Sequence, residues 1–396
     1  MQNCFLVVLI LFLMTLAQIA TDIYLPSFPA MKVQLLTTSA YIQLTFSVFL
    51  AGFAISQLFY GPLSDRYGRK SFLLIGVFLY FIMSVTAAFT NSIEILLLAR
   101  ALQGIGAGAC SVIPRAIMSD KFSGAALERM TIYQSMVWSI VPISAPLLGS
   151  YIQQYLGWRF NFLFLALISL VAFAMCLLFK ETHIQKEKHI SIKSILINYQ
   201  KILSHKQFIL YLTCAVCPIG MLTAFNISAP LLIQETLHLS ALQYGWSIFF
   251  VALSFIVGTL INRWSLVRKS SLIIVKTGIA LMWIASVLLV FFGLHPQFKL
   301  FELLAPIFIL QIGCACVFPF MASKIMELFP HIAGKAAAVF GCSIFFGSML
   351  SSIIMSLLSK NTLLPLAVFI FVLNCIMLSS YQTIVRNMIT KWEYLL

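Results

Sequence analysis

Asp22 is the one acid that lies well inside a long apolar run, within Thr21-Asp22-Ile23-Tyr24-Leu25-Pro26-Ser27-Phe28-Pro29, in a chain that has 11 acidic side chains in 396 residues. A carboxylate at such a depth must be offset by a partner, by water or by a proton, so the chemistry open to it is proton carriage or the binding of a cation. The alternative is a residue at a helix mouth that meets outside water, because Pro26 and Pro29 could end the helix early. A cation stands in a second apolar run, Arg100-Ala-Leu-Gln103-Gly104-Ile-Gly106-Ala-Gly108-Ala-Cys110. Arg100 lies about 9 Å along a helix from Glu94, and Asp22 is at a similar depth relative to Phe28. Opposite charges at one level of a bundle are expected to face each other or a shared cavity. We therefore read Asp22 and Arg100 as a proton-coupling pair. Asp22, Tyr24, Arg100, Gln103, Asn226 and Gln311 are the candidate lining of a substrate cavity.

The elements that must position these residues are membrane-spanning helices. The composition is 61% hydrophobic and 9% charged with mean hydropathy +1.02, too apolar for a soluble globule. At about 20 residues per span, twelve helices are expected near 4–28, 39–60, 71–89, 94–118, 129–152, 160–180, 206–229, 241–262, 271–292, 300–323, 335–358 and 364–384. The first run is read as a span, since Met1-Gln2-Asn3 lacks a positive n-region and no small-residue cleavage site follows. The fold class is all-α, with six helices in 1–180, a linker in 181–205 and six helices in 206–396. The linker places Ile192, Ile195, Leu196, Tyr199, Ile202 and Leu203 on one helical face, the pattern of an amphipathic helix at a membrane surface.

Between the second and third runs stands Gly61-Pro62-Leu63-Ser64-Asp65-Arg66-Tyr67-Gly68-Arg69-Lys70. Its charges cannot lie in lipid, so it reads as a watery turn, with Pro62 ending the preceding helix and Gly61 and Gly68 allowing close approach. Three cations against one anion put it on the cytoplasmic side and, with an even number of spans, both termini there too. Of 25 Lys and Arg, four fall in outer loops (Lys32, Arg159, Lys299, Lys360), Arg100 is deep, and the other 20 lie at or near the inner face. The charge of +14 is therefore topology, and nucleic acid is excluded as a partner. Nine cysteines scattered through apolar runs argue against a disulfide framework, and Cys214-x-x-Cys217 reads as packing. There is no P-loop, and His183, His189, His205, His238, His295 and His331 have no metal-ligand spacing. No enzyme, metal or cofactor is implied.

The decapeptide resembles the loop between helices 2 and 3 of the major facilitator superfamily, Gly-x-x-x-Asp-Arg-x-Gly-Arg-Lys. In that family it is a conformational latch, here Gly61, Asp65, Arg66, Gly68, Arg69 and Lys70. Arg100-x-x-Gln103-Gly104 resembles the helix 4 pattern of proton-coupled drug exporters in the superfamily. Pro142, Ala145, Pro146 and Gly149 look like a shortened form of its helix 5 antiporter motif. With Asp22, Pro26 and Gly157-Trp158-Arg159, these features resemble the Bcr/CflA drug-resistance subgroup. Some relatives carry a second acid eight residues before the aspartate; here that position is Met14, so two-proton coupling and divalent-cation substrates are not carried over.

Internal echoes match two related halves: Gly258-Thr-Leu-Ile-Asn262-Arg263 repeats Gly61-Pro-Leu-Ser-Asp65-Arg66 at an offset of 197 residues, and Gln311 repeats Gln103 at 208. The resemblance implies a secondary exporter in a bacterial inner membrane, driven by the proton gradient and expelling amphipathic small molecules. Its partners would be those molecules, protons and membrane lipids, with a monomeric chain. The alternatives are a dedicated exporter of a siderophore, peptide or sugar and, more remotely, a non-transporting receptor or scaffold.

Overall fold

The computed structural model describes residues 2–182, 192–266, 271–295, 297–358 and 362–393. The helices are α1 (Gln2–Asp22), α2 (Phe28–Gln34), α3 (Ser39–Tyr67), α4 (Arg69–Phe89), α5 (Ile93–Lys121), α6 (Gly124–Tyr155), α7 (Trp158–Leu178), α8 (Ile192–Leu203), α9 (Lys206–Leu231), α10 (Ala241–Leu266), α11 (Ser271–Gly293), α12 (Leu300–Glu327), α13 (Ala333–Leu357) and α14 (Leu364–Glu393). A 3₁₀ turn, Leu25–Ser27, joins α1 to α2, and a π turn, Leu232–Thr236, follows α9. Among the described residues twelve segments are long and apolar enough to cross a membrane, α1 to α2 counting as one, Cys4–Gln34. This is a multi-pass membrane protein. Each expected span is present, and most run several residues further than the apolar stretch alone predicts. The caps explain some of these limits: Thr38 Oγ1 accepts from Tyr41 N, and Ser92 Oγ accepts from Ile95 N at 3.2 Å.

The largest correction concerns Gly61 to Lys70. It is not an open turn, because α3 continues through Pro62 to Tyr67 and α4 begins at Arg69. Proline removes one donor, and a long helix whose neighbours remain bonded carries that loss without ending. The connection is Gly68 alone, at φ +104°, a conformation for which glycine has no steric penalty. Gly61 serves no close approach either, for a Cβ there would meet nothing within 4 Å.

The chain separates into two compact units, Met1–Ser191 with Leu239–Phe249, and Ile192–His238 with Phe250–Leu396. In the first, α3 and α4 both pack along α5, α4 also packs on α7, and α1 lies against α5, α6 and α7. The α3–α5 seam is closed by two glycines: a Cβ on Gly104 would sit 2.1 Å from the Phe49 carbonyl oxygen, and one on Gly52 would sit 2.1 Å from that of Ala101. Without side chains there, the two backbones touch, as small residues allow in membrane helix pairs.

In the second unit α9 lies against α12, α13 and α14, and α11 packs on α12 and α14. The linker helix α8 packs on α13 and α9, with Tyr199 and Ile202 buried and Leu196, Lys201 and Leu203 exposed. Residues 183–191 of the expected linker and 267–270 lie outside the described residues.

The seam generates a contrast. Gly104→Ala is expected to destabilise the protein by about 1–3 kcal/mol, the usual range for overpacking, whereas Gly61→Ala should change stability by less than about 0.5 kcal/mol, as at other unconstrained surface positions. Thermal unfolding of the two purified variants in one detergent measures the difference.

Candidate functional site

The site in the first unit is built on the broken end of α1. Pro26, four residues after Asp22, has no N–H to give the Asp22 carbonyl, and Pro29 likewise leaves the Leu25 carbonyl without its helical donor. The α-helix stops at Asp22, and Tyr24-Leu25-Pro26-Ser27 turns the chain into α2. The last carbonyls of such a helix need donors from elsewhere. Arg100 Nη2 supplies one, donating to the Ala20 carbonyl at 3.1 Å.

Arg100 is fully buried. Its guanidinium carbon lies 4.3 Å from the Tyr24 ring centroid, 4.2 Å from that of Phe49 and 5.8 Å from that of Phe162. Such ring faces attract a cation most when both are desolvated. Nη1 donates to Gln103 Oε1; Gln103 Nε2 donates in turn to Ser84 Oγ at 2.7 Å, and Ser84 to the Tyr80 carbonyl at 2.7 Å. Tyr80 donates to the Leu16 carbonyl at 3.2 Å, so this chain of bonds returns to α1. Tyr24 is fixed from its other side by a 3.2 Å bond between its hydroxyl and Thr45 Oγ1.

Asp22 is buried, with 6% of its surface exposed. Among the described residues no cation forms an ion pair with it. Of the two expected arrangements, facing each other or a shared cavity, direct pairing of Asp22 with Arg100 is absent in this structure: the guanidinium takes a backbone carbonyl two residues earlier, and Tyr24 lies within electrostatic reach of both charges. A second phenol, Tyr244 at the start of α10, is fully buried within reach of Asp22, and its hydroxyl bonds to none of the described residues.

The helix 5-like motif meets the same place. Pro142 and Pro146 both lie inside an unbroken α6, and Gly149 faces the residue after Asp22, where a Cβ would fall 1.6 Å from the Ile23 carbonyl oxygen. Asn161 of α7 secures this corner by donating to Ser27 Oγ at 3.0 Å and to the Gly149 carbonyl at 3.4 Å. Trp158 and Arg159 hold the end of α2, each donating to Gln34 Oε1, at 2.7 and 2.8 Å.

Of the expected cavity residues, the first unit thus brings together Asp22, Tyr24, Arg100 and Gln103. The other two belong to the second unit. Gln311 accepts from buried Ser254 at 2.9 Å, and Asn226 is partly buried on α9. Asn226 stands four residues before Pro230 as Asp22 stands before Pro26, but α9 runs through its proline and ends one residue beyond it, at Leu231, whereas α1 stops at Asp22.

At the far end of α3 the signature residues form a charge cluster. Arg69, almost fully buried, pairs with Asp65 one turn earlier, with Asp120 Oδ2 of α5 at 3.0 Å and with Ser64 Oγ at 2.7 Å. Glu181, beyond the end of α7, accepts from the first two amides of α4, Arg69 N at 3.0 Å and Lys70 N at 3.1 Å. Lys70 Nζ returns a bond to the Leu177 carbonyl at 2.7 Å. An acid thus caps one helix N-terminus while a cation caps a neighbouring C-terminus, the favourable sense for both dipoles. Arg66 stays exposed over the Tyr67 ring. Cys214 and Cys217 are buried and unbridged, and the described residues contain no His, Cys, Asp or Glu group able to hold a metal ion.

Sequence reasoning misses Phe49, Phe162, Tyr244, Asp120 and Glu181. Each meets its partner across the fold, and only the two acids carried a signal, as rare anions just past apolar runs opposite an arginine-rich decapeptide. Glu181→Gln should cost about 0.5–2 kcal/mol, the range for a lost helix cap. Faster hydrogen exchange at the amides of Arg69 and Lys70, with α1 unchanged, is the specific readout.

Comparison with known proteins gives one picture. A chloramphenicol resistance protein of Pseudomonas aeruginosa is 32% identical over 375 residues, covering 92% of this chain and 86% of that one. Multidrug resistance protein D of Escherichia coli K12 is 28% identical over 348 residues, covering 86% and 85%. A bicyclomycin resistance protein homolog of Haemophilus influenzae is 26% identical over 352 residues, covering 85% of each chain. In three dimensions the crystal structure of a D-xylose–proton symporter superposes with TM-score 0.75 at 14% identity over 96% of both chains, a likeness of fold. Residues 10–352 match the Major Facilitator Superfamily, so the chain belongs to that superfamily of membrane transporters and is similar to its Bcr/CflA-like drug-resistance proteins.

Proposed function

We propose that this transporter exports amphipathic small molecules, antibiotics among them, across a bacterial inner membrane in exchange for protons, with both chain termini in the cytoplasm. The observation that carries the reading is the arrangement at the end of α1: a buried carboxylate without a cation beside a buried guanidinium committed to Ala20, Gln103 and three rings. Burying a lone carboxylate charge is costly, and either a proton or a cationic group of a substrate removes the cost. The two occupants therefore compete, which is the requirement for exchange. Asp22 is the proton carrier in this reading, and Arg100 a fixed charge that holds the helix break and disfavours a second cation nearby. Names of the similar proteins, which cite resistance to chloramphenicol, bicyclomycin and multiple drugs, support the direction and the substrate class. The cluster of Asp65, Arg66, Arg69 and Lys70 is the proposed latch, and the basic residues around it support its cytoplasmic placement.

One proton on one carboxylate makes exchange for a monovalent cation electroneutral. Export of a neutral drug would instead move one charge, worth about 2.3 kcal/mol per 100 mV. Inverted vesicles test the reading: an imposed proton gradient should drive uptake of chloramphenicol or a cationic dye, and adding the cationic dye to purified protein should release protons. Asp22→Asn is expected to abolish proton release and gradient-driven uptake while retaining binding; persistence of both at wild-type levels removes Asp22 from the mechanism. Arg100→Lys, which keeps the charge but loses the planar fork, should lower both stability and transport, because one ammonium cannot reproduce the bonds to Ala20 and Gln103.

A further inference from the structure

The site around Asp22 makes no use of a second arginine on α5. Charge distribution puts Arg115 at or near the inner face, and it lies within the span Ile93–Lys121, partly buried. It is about 22 Å along the helix from Arg100. Its Nε donates to the Ser111 carbonyl at 3.0 Å, and its Nη2 to Ser111 Oγ at 3.1 Å and Gln57 Oε1 at 3.2 Å. Nη1 donates to none of the described residues, and no carboxylate among them pairs with this guanidinium.

Gln57 completes the asymmetry. It is 2% exposed, and because its oxygen faces Arg115, the amide is oriented with Nε2 as the remaining group. That nitrogen is buried and bonds to none of the described residues. Two donors, one cationic, are therefore left without an acceptor at one place. Beside them the Trp138 ring of α6 lies 6.0 Å from the guanidinium carbon and is 42% exposed, an open aromatic face. The other two arginines with buried guanidinium groups in this unit have different surroundings. Arg100 is closed in by rings with both terminal nitrogens bonded, only its Nε bonding to none of the described residues, and Arg69 is neutralised by Asp65 and Asp120.

We propose that Arg115 Nη1 and Gln57 Nε2 bind an oxyanion whose apolar part lies against Trp138. A guanidinium and an amide donor match the two oxygens of a carboxylate or two of a phosphate, and the uncompensated positive charge selects an anion over a neutral carbonyl. The occupant is an aromatic carboxylate from solution or the phosphate of an anionic lipid headgroup. The site rests on donor geometry and does not depend on proton coupling.

The test uses full-length protein in phosphatidylcholine nanodiscs and radiolabelled benzoate measured by equilibrium dialysis, without any gradient. Saturable benzoate binding is expected, with the neutral analogue benzamide binding at least tenfold more weakly. Arg115→Gln should weaken benzoate binding at least tenfold. Gln57→Glu, which places beside Arg115 the carboxylate the site lacks, should do the same with no loss of thermal stability, so it decides the matter even if Arg115→Gln fails to fold. Displacement of benzoate from the wild type by phosphatidylglycerol in the disc supports the site with a headgroup phosphate as occupant, and binding undiminished by phosphatidylglycerol supports it with a soluble carboxylate. The proposal is overturned if the wild type shows no saturable benzoate binding, if benzamide binds as well as benzoate, or if Gln57→Glu binds benzoate as the wild type does.

Discussion

A guanidinium shut away from water holds the end of a helix that proline has interrupted, and the first unit is arranged to make that possible. Arg100 cannot be solvated at its depth, so its faces and both terminal nitrogens meet protein groups: rings from α3, α7 and the turn after α1, a carbonyl from α1 and an amide from its own helix, only Nε bonding to none of the described residues. The backbone contact of α3 with α5 at Gly52 and Gly104 brings Phe49 over the charge. Removing the arginine would leave an unpaired carbonyl and an apolar hole, and removing a ring would leave a cation poorly sheltered, so the parts are interdependent.

Proline placement gives each unit a comparable irregular point. In the first unit the freed carbonyl belongs to Asp22 and in the second to Asn226, each four residues ahead of a proline. One position carries an ionisable group and the other an amide of similar shape. The two points therefore differ in chemistry, since a carboxyl group can take up a proton near neutral pH and an amide cannot.

Much of this was legible in the sequence, and what was not has physical reasons. Hydropathy reveals spans because lipid demands long apolar helices with their backbone groups bonded internally, and all twelve are present. Asp22, Arg100, Gln103 and Gly149 stood out because charge and small size are costly or unusual there. The partners Phe49 and Phe162 did not, since two rings of an aromatic cage look in one dimension like any others in a chain with 35 phenylalanines. The reading of Pro62 as a helix end failed because proline excludes only one hydrogen bond. The surroundings of Arg115 were not legible because a count of charges cannot see Gln57 on the neighbouring helix.

The one-residue connection at Gly68 has a geometric consequence. A linkage with no slack fixes the rotational phase of α4 relative to α3, since adding or deleting a residue after Gly68 would turn the start of α4 by about 100° about its axis. Such a turn would carry Gly76 and Tyr80 off the surface of α5 and the first amides of α4 away from Glu181. Length variation is thus far less tolerable here than chemical variation at exposed Arg66 or Tyr67, and the hairpin behaves as a single keyed part rather than as two rods joined by a tether.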